Sequence, residues 1–138
     1  IKVTLGVFGA SDPDFELSWT RQAGPSVSIT GVTDGQRVDG GETIGWNVTA
    51  VGPDGQALPA SSVTSRISLL HYSPDEYVAA HAHPSGTFTG LDGTFAPDDD
   101  HAPGYSVFRI DAWTTGEQIG VAEPVFICTL GSAVGPCR

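Results

Sequence analysis

Apolar residues recur at every second position along most of this chain, in runs too short for helices. Ile44, Trp46, Val48 and Ala50 alternate with Gly45, Asn47 and Thr49, the period of a strand with one buried face. Phe108, Ile110 and Ala112 alternate with Val107, Arg109, Asp111 and Trp113, and Ile67 and Leu69 with Arg66 and Ser68. Near the start, Ile1, Val3, Leu5 and Val7 lead through the turn chemistry of residues 9–14 to Phe15, Leu17 and Trp19, a hairpin pattern. Further turns are signalled at Asp34-Gly35, Pro53-Asp54-Gly55, Leu91-Asp92-Gly93 and Thr114–Glu117, where glycine, proline and short polar side chains set the backbone. The last strand is expected from Ile119 to Leu130, with Pro124 marking a bend or an edge. Between Val27 and Leu130 the pattern predicts about seven strands with turns every 8–12 residues, an all-β immunoglobulin-like sandwich. Residues 1–24 read as an extra N-terminal hairpin and linker, and residues 25–138 as the sandwich with a C-terminal tail.

The stretch from Arg66 to Pro84 holds three of the four histidines and predicts a hairpin turning at Ser73-Pro74-Asp75-Glu76. A register with Tyr72 facing Tyr77 puts Ile67, Leu69 and His71 on one face with Val78, Ala80 and Ala82. His81 and His83 then fall on the other face, beside Arg66 and Ser68. Two histidines in a His-x-His strand pair lie about 7 Å apart along the chain, and a third on the neighbouring strand would complete a zinc- or copper-type site. In this register His71 sits roughly 10 Å off level and points through the sheet. The expectation is therefore no tightly held metal and no cofactor. Asp12, Asp14 and Glu16, and the run Asp98-Asp99-Asp100-His101, are further cation candidates, against the plain reading of solvated turns.

A formal net charge of -10 leaves no basic patch to neutralise phosphates, which argues against nucleic acid and against anionic membrane surfaces. No run is long and apolar enough to insert in a membrane. Cys128 and Cys137 are expected to form a short disulfide loop in an exported protein, secreted or held at the cell surface; two free thiols are the alternative. No Gly-x-Ser-x-Gly elbow, phosphate loop or dinucleotide fingerprint is present, so the chain is not expected to be an enzyme. Arg109, Asp111 and Trp113 are left on an outer face with Arg66, His81 and His83. These residues form the candidate ligand-binding set, an aromatic platform with polar neighbours of the kind that suits sugar rings.

Several phrases occur in order: Val27-Ser28-Ile29-Thr30, Gly40-Gly41-Glu42-Thr43-Ile44, Asp54-Gly55-Gln56-Ala57-Leu58-Pro59-Ala60-Ser61, Leu70-His71, His81-Ala82-His83-Pro84, Gly86-Thr87-Phe88 and Tyr105–Ala112. Together they resemble the Ig-like (PKD-like) accessory domains found C-terminal to secreted bacterial sugar dehydrogenases of the glucose/sorbosone type, over roughly residues 26–130. In that family the histidines cluster and end in His-x-His-Pro. His71 corresponds to the leading histidine and His81-Ala82-His83-Pro84 to the ending, with a longer spacer, Tyr72–Ala80, between them. The resemblance implies a non-catalytic partner module. The functional expectation is an accessory module of a secreted protein that binds carbohydrate or a cell-surface polymer. The alternative is a structural domain that docks a neighbouring catalytic domain or another chain.

Overall fold

The computed structural model describes residues 3–5, 15–17, 23–73, 79–97, 104 and 106–138. Ten strands lie among them. β1 (Val3–Leu5) and β2 (Phe15–Leu17) pair antiparallel as a separate two-stranded ribbon, with Val3 opposite Leu17. The rest form two sheets. The smaller contains β3 (Ser26–Thr30), β5 (Ile44–Val51) and β8 (Asp92–Phe95), in the order β3-β5-β8. The larger contains β4 (Gln36–Val38), β6 (Val63–Tyr72), β7 (Ala79–Thr89), β9 (Ser106–Thr114) and β10 (Val125–Thr129), in the order β4-β10-β9-β6-β7. β4 runs parallel to β10, while every other pairing within the two sheets is antiparallel. The first part of the sandwich therefore pairs with one sheet through β3 and crosses to the edge of the other through β4. The all-β immunoglobulin-like sandwich expected from the pattern is the observed architecture.

The alternation seen in the sequence is the alternation of burial. Ile44, Trp46, Val48 and Ala50 of β5 face Val63, Ile67 and Leu69 of β6, Phe108, Ile110 and Ala112 of β9, and Ile127 of β10 in one core cluster. Burying these side chains contributes roughly 1.5–3 kcal/mol each for the larger ones. Trp46 is the centre of this layer, at 1% exposure. Its indole Nε1 donates to the Ser65 hydroxyl at 3.0 Å, so the one polar atom of the ring is satisfied. Phe88 packs against it with the ring planes perpendicular and the centroids 5.1 Å apart. Gly93 sits opposite Trp46 in the ladder, and a Cβ there would collide with the indole ring. Glycine is needed at this position for space.

A second cluster lies on the outer face of the larger sheet, where Leu70, Tyr72, Val107 and Cys128 are covered by Val134 and Cys137 of the C-terminal tail. The Cys128–Cys137 disulfide is formed, with Cα atoms 5.8 Å apart. Arg37 holds the same tail by donating from its two terminal nitrogens to the carbonyls of Ser132 and Cys137, each at 2.8 Å. Burial raises the Tyr72 phenol above its ordinary pKa, with the Arg109 charge pulling the other way. The last strand is shorter than the sequence suggests. Regular pairing covers Val125–Thr129 only, and the segment before it touches the sheet through an isolated bridge from Val121 to Trp113. Pro124 has no N–H to offer a ladder, which accounts for the late start.

Candidate functional site

The expected register of the β6–β7 hairpin is wrong by three residues. His71 lies directly opposite His81, and Leu69 opposite His83, so all three histidines share one face. That face is the inner one. Ser65, Ile67, Leu69 and His71 follow one another along it, paired across β9 with Ala112, Ile110, Phe108 and Ser106. His81 and His83 therefore do not stand beside Arg66, and Ile67 and Leu69 do not share a face with Ala82, which pairs with Leu70.

The physical cause is an irregularity within the hairpin. Phe88 has to face the core, where it packs on Trp46. This pins Phe88 opposite Ser65, because a slip of one residue would turn an apolar side chain out to water. Register shifts then occur at two places, between Ile67 and Ser68 and between His71 and Tyr72. Each adds one residue to β7, Ser85 and Ala80 respectively. The Ser85 bulge sets the two imidazoles of the His81–Pro84 segment on the inner face, level with His71, and the Ala80 bulge follows beyond them.

His71 is half-buried, and His81 and His83 are exposed. The three rings form a triangle. Centroids are 4.9 Å apart for His71–His81, 5.4 Å for His71–His83 and 5.0 Å for His81–His83. One nitrogen from each lies within 4.8 Å of the other two. Ser106, fully buried, places its hydroxyl 3.4 Å from Nδ1 of His71. The axial offset that argued against a metal site does not exist in the fold.

The outer face carries the rest of the candidate set. Asp111 is the hub. Its Oδ1 accepts from Arg109, at 2.9 Å from Nε and 2.7 Å from Nη2. Its Oδ2 lies 3.5 Å from Nη2 of Arg66. The Arg66 guanidinium also sits over the Trp113 ring, 5.6 Å from its centroid, a cation–π distance. Arg66, Arg109, Asp111 and Trp113 are thus brought together as expected, with Trp113 half-buried rather than exposed. The predicted six-residue set divides into two sites on opposite faces of one sheet. Ser106 belongs to the histidine site and had no sequence signal of its own; pairing β6 against β9 would have pointed to it. The Asp12-Asp14-Glu16 spacing, the Asp98–His101 run, Trp19, the turn around Pro74 and Tyr77 fall outside the residues whose side chains the structure describes.

No family model matches the chain, and no curated protein matches it. Among solved structures it is similar to Spo0M, a sporulation control protein from Bacillus subtilis, at 14% identity and a TM-score of 0.53, over 78% of this chain and 49% of that one. The chain therefore spans about half the length of that protein, and at this identity the likeness is one of fold alone. A β-glucosidase from Listeria innocua, solved in complex with glucose, aligns at 14% identity over 88% of this chain and 19% of its own, with a TM-score of 0.35. That score carries no argument.

Proposed function

We propose that this chain is a non-catalytic accessory module of an exported protein, and that it binds carbohydrate or a cell-surface polymer on the outer face of its larger sheet. The carrying observation is the Arg66–Asp111–Arg109 ion-pair chain laid beside Trp113. A sugar ring presents an apolar flank and a rim of hydroxyls. An indole with a guanidinium stacked on it supplies the flank, and fixed donors and a fixed acceptor supply the rim. Two guanidiniums against one carboxylate leave a local positive excess on a chain of net charge -10, which favours a polymer bearing acidic groups. Both oxygens of Asp111 are engaged by arginines, which suits an anchoring role better than a catalytic one. The resemblance to accessory domains of sugar dehydrogenases and the disulfide support the exported, partner-module part of this reading.

A docking role for the same face is favoured by Ile119 and Val121, 66% and 68% exposed, with Val121 bridged to Trp113. Retention on insoluble polysaccharides and on a glycan array separates the two. If the face binds glycan, Trp113→Ala weakens retention by about 1–3 kcal/mol, the scale of one lost aromatic contact. Arg66→Ala does likewise, with the fold intact by circular dichroism. A wild-type chain that retains no glycan in either format refutes the carbohydrate reading. Loss of a catalytic partner on Ile119→Ser/Val121→Ser would then assign the face to docking.

A further inference from the structure

We infer that His71, His81 and His83 form a binding site for one divalent late transition-metal ion, zinc or copper, at the end of the β6–β7 hairpin where the chain passes from β6 to β7. The site stands on the inner face of the sheet and goes beyond the polymer-binding role given to the outer face.

Imidazole is a ligand suited to both ions. Tetrahedral zinc with three histidine nitrogens at about 2.0–2.1 Å requires those nitrogens to be about 3.3 Å apart. Here they all lie within 4.8 Å of one another, so capture needs a contraction of at most about 1.5 Å across the triangle. His81 and His83 are exposed and are free to make that adjustment by side-chain rotation. His71 is the fixed corner. It is half-buried, it pairs across the sheet with His81 and with Ser106, and the Ser106 hydroxyl stands at its Nδ1. A group held at Nδ1 directs Nε2 toward the ion, as partners of metal-bound imidazoles do elsewhere. The backbone is equally committed. The bulge at Ser85 puts both residues of the His-x-His pair on the face of the third, from an edge strand whose neighbour supplies that third ligand. Three neutral protein ligands leave a fourth position open to solvent, the arrangement of sites that take an exchangeable ligand. The chain's net charge of -10 draws cations toward it.

Binding also clamps the hairpin. β7 is an edge strand, and a metal joining His81 and His83 to His71 fastens its tip to β6, so the folded state gains stability as ion is added.

The test is titration of the full, chelator-treated chain with zinc chloride alone and copper chloride alone, followed by calorimetry and by thermal melting. The expected result is one ion per chain and a melting temperature that rises with ion concentration. His81→Ala and His83→Ala, which alter exposed side chains and leave the fold intact by circular dichroism, each weaken binding at least about tenfold and remove the thermal shift. Arg66→Ala, on the opposite face, changes neither. Cobalt(II) loaded in place of zinc shows the intense visible absorption of a tetrahedral site, lost in both histidine variants. Absence of saturable binding, or saturable binding that survives His81→Ala and His83→Ala together, overturns the inference.

Discussion

Trp46 shows how a single residue imposes demands on its neighbours. Its indole N–H is taken by Ser65, Phe88 packs perpendicular to it, and its ring leaves room only for a hydrogen at Gly93. Gly93→Ala must therefore displace a ring that is fully buried. The expected loss is about 1–3 kcal/mol, the usual cost of overpacking, read as a lower urea midpoint at unchanged slope. Trp46→Phe removes ring volume and leaves the Ser65 hydroxyl without its donor, and it too destabilises by itself. Because the smaller ring vacates the space that the added methyl enters, the two changes together should cost less than the sum of their separate costs. Strict additivity in the double-mutant cycle would show that Gly93 is constrained by something other than Trp46. Much of this was legible in the sequence: Trp46 falls in the clean inward alternation of Ile44–Ala50. The partner glycine was not, since it comes from β8, a strand whose register against β5 no local pattern specifies.

Among the elements, the C-terminal tail behaves as a lid on the outer face of the sheet. Its disulfide spans a sequence separation of 9, and closing so short a loop restricts the unfolded chain by about 2–3 kcal/mol. Cys128→Ala/Cys137→Ala should lose about that much stability in denaturant, and more if the tail lifts from Leu70, Tyr72 and Val107. Arg37→Ala in that background should lower the midpoint further, because the two tail carbonyls lose their donors. A cysteine-free variant as stable as the parent would mean that Arg37 and the apolar contacts hold the tail by themselves. The hairpin β6–β7 is the element the sequence misrepresents. Its turn residues suggest one register, and the bulge at Ser85, between the histidines and Phe88, gives another. Phe88 faces the core in either register; the extra residue at Ser85 is what turns His81 and His83 to the face of His71.

For the whole molecule, a net charge of -10 on 138 residues means that the folded chain repels itself. Screening shortens that repulsion to about 10 Å at 0.1 M salt, so the melting temperature should rise by a few degrees from low to moderate sodium chloride, with no change in oligomeric state by sedimentation. The Arg66–Asp111–Arg109 chain works in the opposite sense. Arg66 and Arg109 are 44% and 42% exposed, and exposed pairs of this kind contribute about 0–1 kcal/mol and weaken with salt. A melting temperature that falls as salt is added would show that such local pairs outweigh the global repulsion.

Fold class, the inward faces of β5 and β9, the expected disulfide and the outer-face placement of Arg66, Arg109, Asp111 and Trp113 were legible along the chain. Each of these follows from a period of two or from residues close together in the chain, and period two assigns faces within one strand without reference to any other. Which face of one strand meets which face of the next is a different matter, since it depends on where the pairing starts. In this hairpin the folded chain settles it: Phe88 packs on Trp46, and the extra residue at Ser85 turns over the segment that follows toward the histidines. That bulge brings His71, His81 and His83 within 4.8 Å of one another, a convergence of residues that local pattern places on opposite sides of the sheet.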